Sequence, residues 1–100
     1  MGHRADICAA MVALVDSGLN RGASGNVSVR DGDQMLITPS GVPPRQIRPE
    51  DIATMPLAGD GDWDGTLAPS VEWRYHRDLL NACPDRQARF DSLNRFPLRR

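Results

Sequence analysis

Two short β-rich runs, "NVSVR" at 26–30 and "MLIT" at 35–38, are separated only by "DGDQ". Branched apolar residues alternating with small polar ones are a strand pattern, and a Gly-containing polar tetrad between two such runs reads as a hairpin turn. This hairpin constrains the fold most, because in a chain of 100 residues everything else must pack on it or pair with it. Directly after it, "PSGVPP" at 39–44 is expected to be a rigid loop without helix, since proline fixes φ and lacks an N–H.

The elements around the hairpin follow from spacing. Ile7, Met11, Leu14 and Val15 predict a helix over 4–17 that stops at Gly18. "RPEDIATMPLAGDGDWDG" predicts a short turn, a strand over 52–57 and a Gly/Asp turn at 59–62. A second helix is expected with Ser70 as N-cap, Glu72 in its first turn and Pro84 as its stop. Its apolar face is expected to comprise Val71, Tyr75, Leu79 and Ala82. Trp73 and Tyr75 read as packed aromatics and Trp63 as a surface one, and His3 as part of a loose terminus.

Charge divides the chain. All 12 basic residues are Arg; residues 1–85 hold seven of them against twelve carboxylates, whereas 86–100 hold five against Asp91 alone. The basic tail has neither a helical period nor interleaved aromatics, so no nucleic-acid partner is expected. "MGHRADICAAMVALV" is too short and too interrupted for a membrane span or a signal peptide, so no membrane partner is expected either. Cys8 and Cys83 lack neighbouring Cys or His residues, which argues against a zinc ribbon and for reduced thiols in the cytoplasm.

Three clusters of small polar residues sit at strand ends and a helix start. Gly22, Ser24, Gly25, Asn26 and Ser28 form the first, Ser40 and Gly41 the second, and Ser70 the third. Glycine lets a backbone approach a ligand, hydroxyls and carboxamides donate hydrogen bonds, and a helix start presents N–H groups to an anion. The clusters therefore fit a phosphate site, though by spacing alone ordinary turns, which use the same residues, are the simpler reading. Glu72 fits a general base beside such a site or a carboxylate that complements the helix dipole. His76, four residues on, fits a metal ligand or a packed residue.

In order, "GLNRGASGNVSVR", "MLITPSG", "RPEDI" and "LAPSVEWRYH" resemble the N-terminal half of the class II aldolase/adducin family, from Leu14 to Asp85. The resemblance implies an α/β fold, a three-layer α/β/α domain, of which residues 1–85 are the N-terminal part: helix, hairpin, strand, helix. It implies that Gly25, Asn26, Ser40, Gly41, Ser70 and Val71 hold a substrate phosphate. Val71 stands where the family has a second Ser, which removes a hydroxyl and keeps a backbone N–H. It implies that Glu72 is both the acid/base and a zinc ligand. The activity implied is zinc-dependent cleavage of a sugar phosphate such as fuculose 1-phosphate to an aldehyde and dihydroxyacetone phosphate, in a homotetramer with sites between subunits. The alternatives are an adducin-like binding module without catalysis and a sugar-phosphate epimerase or decarboxylase relative.

The resemblance also implies a later His-x-His strand and a third His as zinc ligands. Around Asp91–Leu93 there is no histidine. The charge break falls where the resemblance ends, as an out-of-frame reading of a G+C-rich gene would produce. Residues 86–100 are accordingly expected to lie outside the domain, and the 100-residue chain is expected neither to bind zinc nor to be an active aldolase.

Overall fold

The computed structural model describes residues 2–16 and 26–83, together with the backbone of 89–91 and 96–97. Helix α1 spans His3–Asp16. The expected hairpin is β1 (Val27–Asp31) and β2 (Gln34–Ile37), in the register Ser28↔Ile37 to Asp31↔Gln34. Gly32 turns it with a φ of 63°, a left-handed conformation that glycine adopts without a Cβ clash. Strand β3 (Ala53–Pro56) pairs with β2, and helix α2 spans Trp73–Ala82. Residues 86–100 show no period in the sequence, yet the backbone of β4 (Arg89–Asp91) pairs with β1, and β5 (Phe96–Pro97) with β4. The sheet order is β3-β2-β1-β4-β5, antiparallel at every pairing.

Successive strand residues point to opposite faces, and here both faces are covered. Val27, Val29 and Leu36 pack with Ile7, Met11 and Leu14 of α1 and with Ile47 and Ile52. Met35, Ile37, Ala53 and Met55 pack with Leu80 of α2, with Trp73 and Leu79 against them. Helix, sheet and helix make three layers. Arg4 ties α1 to the β3 edge, donating to the carbonyl of Ile52 and to Thr54 Oγ1 at 2.8 Å. The side chain of Val15, and Gly18, lie outside the described residues.

Four local expectations change. The "PSGVPP" loop runs into a 3-10 turn, Pro44–Gln46, because a proline at the first helical position gives up an N–H that would be unpaired anyway. His3 is the first residue of α1 and lies 3.9 Å from Asp31. The N-cap of α2 is Glu72, not Ser70, because residue 70 is held in extended pairing with β2's exit. The buried residues of α2 are His76 and Leu80, with the half-buried Trp73 on the same stripe, while Val71 is 80 % exposed and Tyr75 38 %. Only His76, at the centre of that stripe, is a residue that hydropathy would not place inside. Trp63 is exposed, as expected, and Trp73 is half-buried beneath the guanidinium groups of Arg74 and Arg77.

Candidate functional site

Thr38 stitches the site together. Its N–H donates to the Val27 carbonyl at 3.1 Å, its Oγ1 accepts the Val27 N–H at 3.3 Å, and its carbonyl accepts the Ser70 N–H at 2.9 Å. Pro39 and Pro69 lie opposite each other in an antiparallel bridge, and the Ser40 N–H donates to the Ala68 carbonyl at 3.0 Å. Prolines have fixed φ and no donor, so the bridge is closed by the N–H groups of the residues that follow them. Three segments remote in sequence thus meet: the start of β1, the loop after β2 and the approach to α2.

Between them is a cavity of about 320 Å³. Asn26, Ser40, Gly41, Ser70 and Val71 line it, with Met11 and Ile47 among its apolar walls. Five of the six residues expected to hold a phosphate therefore share one cavity. The sixth, Gly25, lies outside the described residues, as do Gly22 and Ser24. No charged side chain lines the cavity among the described residues. An anion there would be held by hydrogen-bond donors in apolar walls, where such bonds are stronger than in water.

The donors can be followed one by one. The N–H groups of Ser40 and Ser70 are already paired within the bridge. Ser70 Oγ accepts the Glu72 N–H at 3.2 Å, and the Ser70 carbonyl accepts the Trp73 N–H at 3.1 Å. Among the described residues, the N–H groups of Gly41 and Val71 have no partner. Gly41 has a φ of 79°, and a Cβ built on it would meet no atom within 4 Å. Gly41→Ala should therefore add backbone strain of about 1–2 kcal/mol without a clash, a loss that urea unfolding would measure.

Ser28 is not at the cavity. It is fully buried on the α2 face of β1, where its Oγ lies 2.7 Å from His76 Nδ1. His76 is also fully buried, and its Nε2 is hydrogen-bonded to Asn26 Oδ1. Burial lowers the His76 pKa to about 4, so the ring is neutral at neutral pH. Of its two readings, the packed residue holds. A signal is available in the sequence: Ser28 stands between two valines at a strand position that must face a second layer.

Glu72 is exposed, at the N-cap next to Val71, and its side chain makes no capping hydrogen bond. Among the described residues no group of three or more His, Cys, Asp or Glu side chains converges. Cys8 and Cys83 are free thiols.

A family model, the class II aldolase and adducin N-terminal domain, matches residues 5–89. The chain is 50 % identical over 68 residues to a 5-methylthioribulose-1-phosphate/5-deoxyribulose-1-phosphate aldolase of Rhodospirillum rubrum, covering 68 % of this chain and 30 % of that protein. It is 41 % identical over 83 residues to the L-fuculose phosphate aldolase of Escherichia coli K12, covering 83 % and 36 %. Among solved structures, an L-fuculose 1-phosphate aldolase superposes with a TM-score of 0.75 at 32 % identity, covering 82 % of this chain and 39 % of that one. A second, the l-fuculose-1-phosphate aldolase of Thermus thermophilus, gives a TM-score of 0.62 at 33 % identity, covering 75 % and 38 %. The chain spans about a third of the length of the two curated relatives.

Proposed function

The chain belongs to the class II aldolase and adducin family, and from that premise we propose that its cavity is the phosphate anchor of a lyase acting on sugar phosphates. Glu72 beside it is the group that moves a proton. The observation that carries this reading is the convergence of Asn26, Ser40, Gly41, Ser70 and Val71 on one cavity from three separate segments. The names of the relatives agree, since each is an aldolase of a phosphorylated sugar.

In this reading the phosphate is received by the N–H groups of Gly41 and Val71, the Asn26 carboxamide and the Ser40 and Ser70 hydroxyls. Holding the phosphate end fixes the rest of the substrate, so that binding becomes orientation at the reacting bond. The exposed Glu72 carboxylate then accepts or returns a proton on the substrate carbon chain. Zinc is the Lewis acid that the resemblance implies. A zinc site takes about three or four protein ligands, and the described residues bring one, Glu72. They do not make up such a site, and no step through a metal follows from them. A homotetrameric whole protein belongs to the same reading, on the resemblance alone, and a cytoplasmic location on the sparse, unclustered cysteines.

Calorimetric titration with dihydroxyacetone phosphate and with dihydroxyacetone tests the anchor. The phosphate ester is expected to bind at least about 100-fold more tightly than the free alcohol, as two charge-assisted hydrogen bonds would give. Equal affinities would remove the phosphate from the proposal.

A further inference from the structure

Beside the cavity, among the described residues, one ionisable side chain is fully buried without being part of the lining. His76 lies behind Asn26, with one ring nitrogen on Asn26 Oδ1 and the other 2.7 Å from Ser28 Oγ. We infer that His76 is a positioning residue: it fixes the Asn26 carboxamide with its oxygen turned to the imidazole and its NH2 group toward the cavity. This rests on the phosphate reading above, and it names the device that gives Asn26 the right end for an anion.

The assignment follows from counting protons. A neutral imidazole has one N–H and one lone pair. A carboxamide oxygen facing Nε2 requires the proton on Nε2. Nδ1 is then the acceptor, and the Ser28 hydroxyl donates to it. The chain runs Ser28 O–H to Nδ1, then Nε2–H to Asn26 Oδ1, and every group in it is satisfied. The opposite tautomer would turn the carboxamide over and present its oxygen, a repulsive group, to a phosphate. The Asn26 oxygen selects the Nε2–H tautomer, and the Ser28 hydroxyl, able to donate or accept, completes it from the other side of the ring. Because His76 and Ser28 are both fully buried, no water competes for these bonds.

Two measurements on the 100-residue chain test this. The first is the ¹⁵N spectrum of the His76 ring in the unmodified chain, which needs no ligand. The Nε2–H tautomer is expected, and an Nδ1–H tautomer would overturn the proposal. The second uses inorganic phosphate as probe with His76→Gln, His76→Leu and Asn26→Ala. Glutamine offers one acceptor and one donor, as the neutral ring does, and leucine offers neither. His76→Leu is expected to weaken phosphate binding about tenfold, the equivalent of one charge-assisted hydrogen bond. His76→Gln should restore most of it. On the Asn26→Ala background, His76→Leu should change the affinity by no more than about twofold, because the residue through which it acts is gone. An equal loss on both backgrounds would overturn the proposal, since that is what a general packing defect produces. If the unmodified chain binds no phosphate but shows the Nε2–H tautomer, the phosphate reading fails while the orientation of Asn26 stands.

Discussion

A chain carrying Ser70→Asp is expected to lose inorganic phosphate binding by at least about 100-fold while retaining helix α2. The two halves of this result have separate causes. Ser70 Oγ accepts the Glu72 N–H at 3.2 Å, and an aspartate oxygen does the same work at a helix start. The secondary structure should therefore survive. The cavity, however, has no charged side chain among its described lining residues, so nothing there offsets a new carboxylate. Two unit negative charges about 4 Å apart repel by about 4 kcal/mol at the effective dielectric of a protein surface. Calorimetry with phosphate, with circular dichroism as the check on folding, reads both halves. Phosphate binding that survives in Ser70→Asp would show that the anion is not held at the start of α2.

The second large effect is on stability in acid. His76 has its pKa lowered by burial from 6.5 to about 4 in the folded chain. As pH falls through 6.5 the unfolded chain takes up a proton that the folded chain refuses, so stability declines. The decline continues to about pH 4, where the folded form also protonates, and then levels off. Integrated over that window, the loss is about 3 kcal/mol. A domain of ordinary stability has about 5–15 kcal/mol in total. Carboxylates add their own acid dependence, so the measurement is a difference. Urea unfolding of the unmodified chain and of His76→Gln, at neutral pH and near pH 4, should show the extra loss only where the histidine is present. Identical pH dependence in the two would mean that folding leaves the His76 pKa unshifted, against the burial argument.

Helix α1 is legible in the residues alone because Ile7, Met11 and Leu14 repeat at helical spacing and are buried together. The hairpin is legible because alternation is the physical consequence of a pleated strand. Helix α2 is half legible. Ser70 has the chemistry of a cap and does accept the Glu72 N–H, yet the pairing of Pro39 with Pro69 holds it in extended conformation and delays the helix to Trp73. Within its buried face, His76 alone escapes a hydropathy reading, because its burial depends on hydrogen bonds to Ser28 and Asn26.

The candidate site is legible only through resemblance. Nothing in the residue types of Asn26, Ser40 and Ser70 says that they meet. That depends on the register of β1 with β2 and on the bonds of Thr38 to Val27 and Ser70, which are properties of the folded chain. Ser28 shows the converse. Grouped with the phosphate donors by composition, it shares the α2 face of β1 with Asn26 and bonds the same His76 ring, but does not line the cavity.

The central claim is that the cavity between β1, the loop after β2 and the start of α2 receives a phosphate on neutral donors. Titration of the ¹⁵N-labelled chain with inorganic phosphate tests it most directly. The claim predicts saturable shifts concentrated at the Gly41 and Val71 amides and at the Asn26 side-chain NH2. Shifts confined to the arginine side chains, or none at those three positions at saturating phosphate, would contradict it.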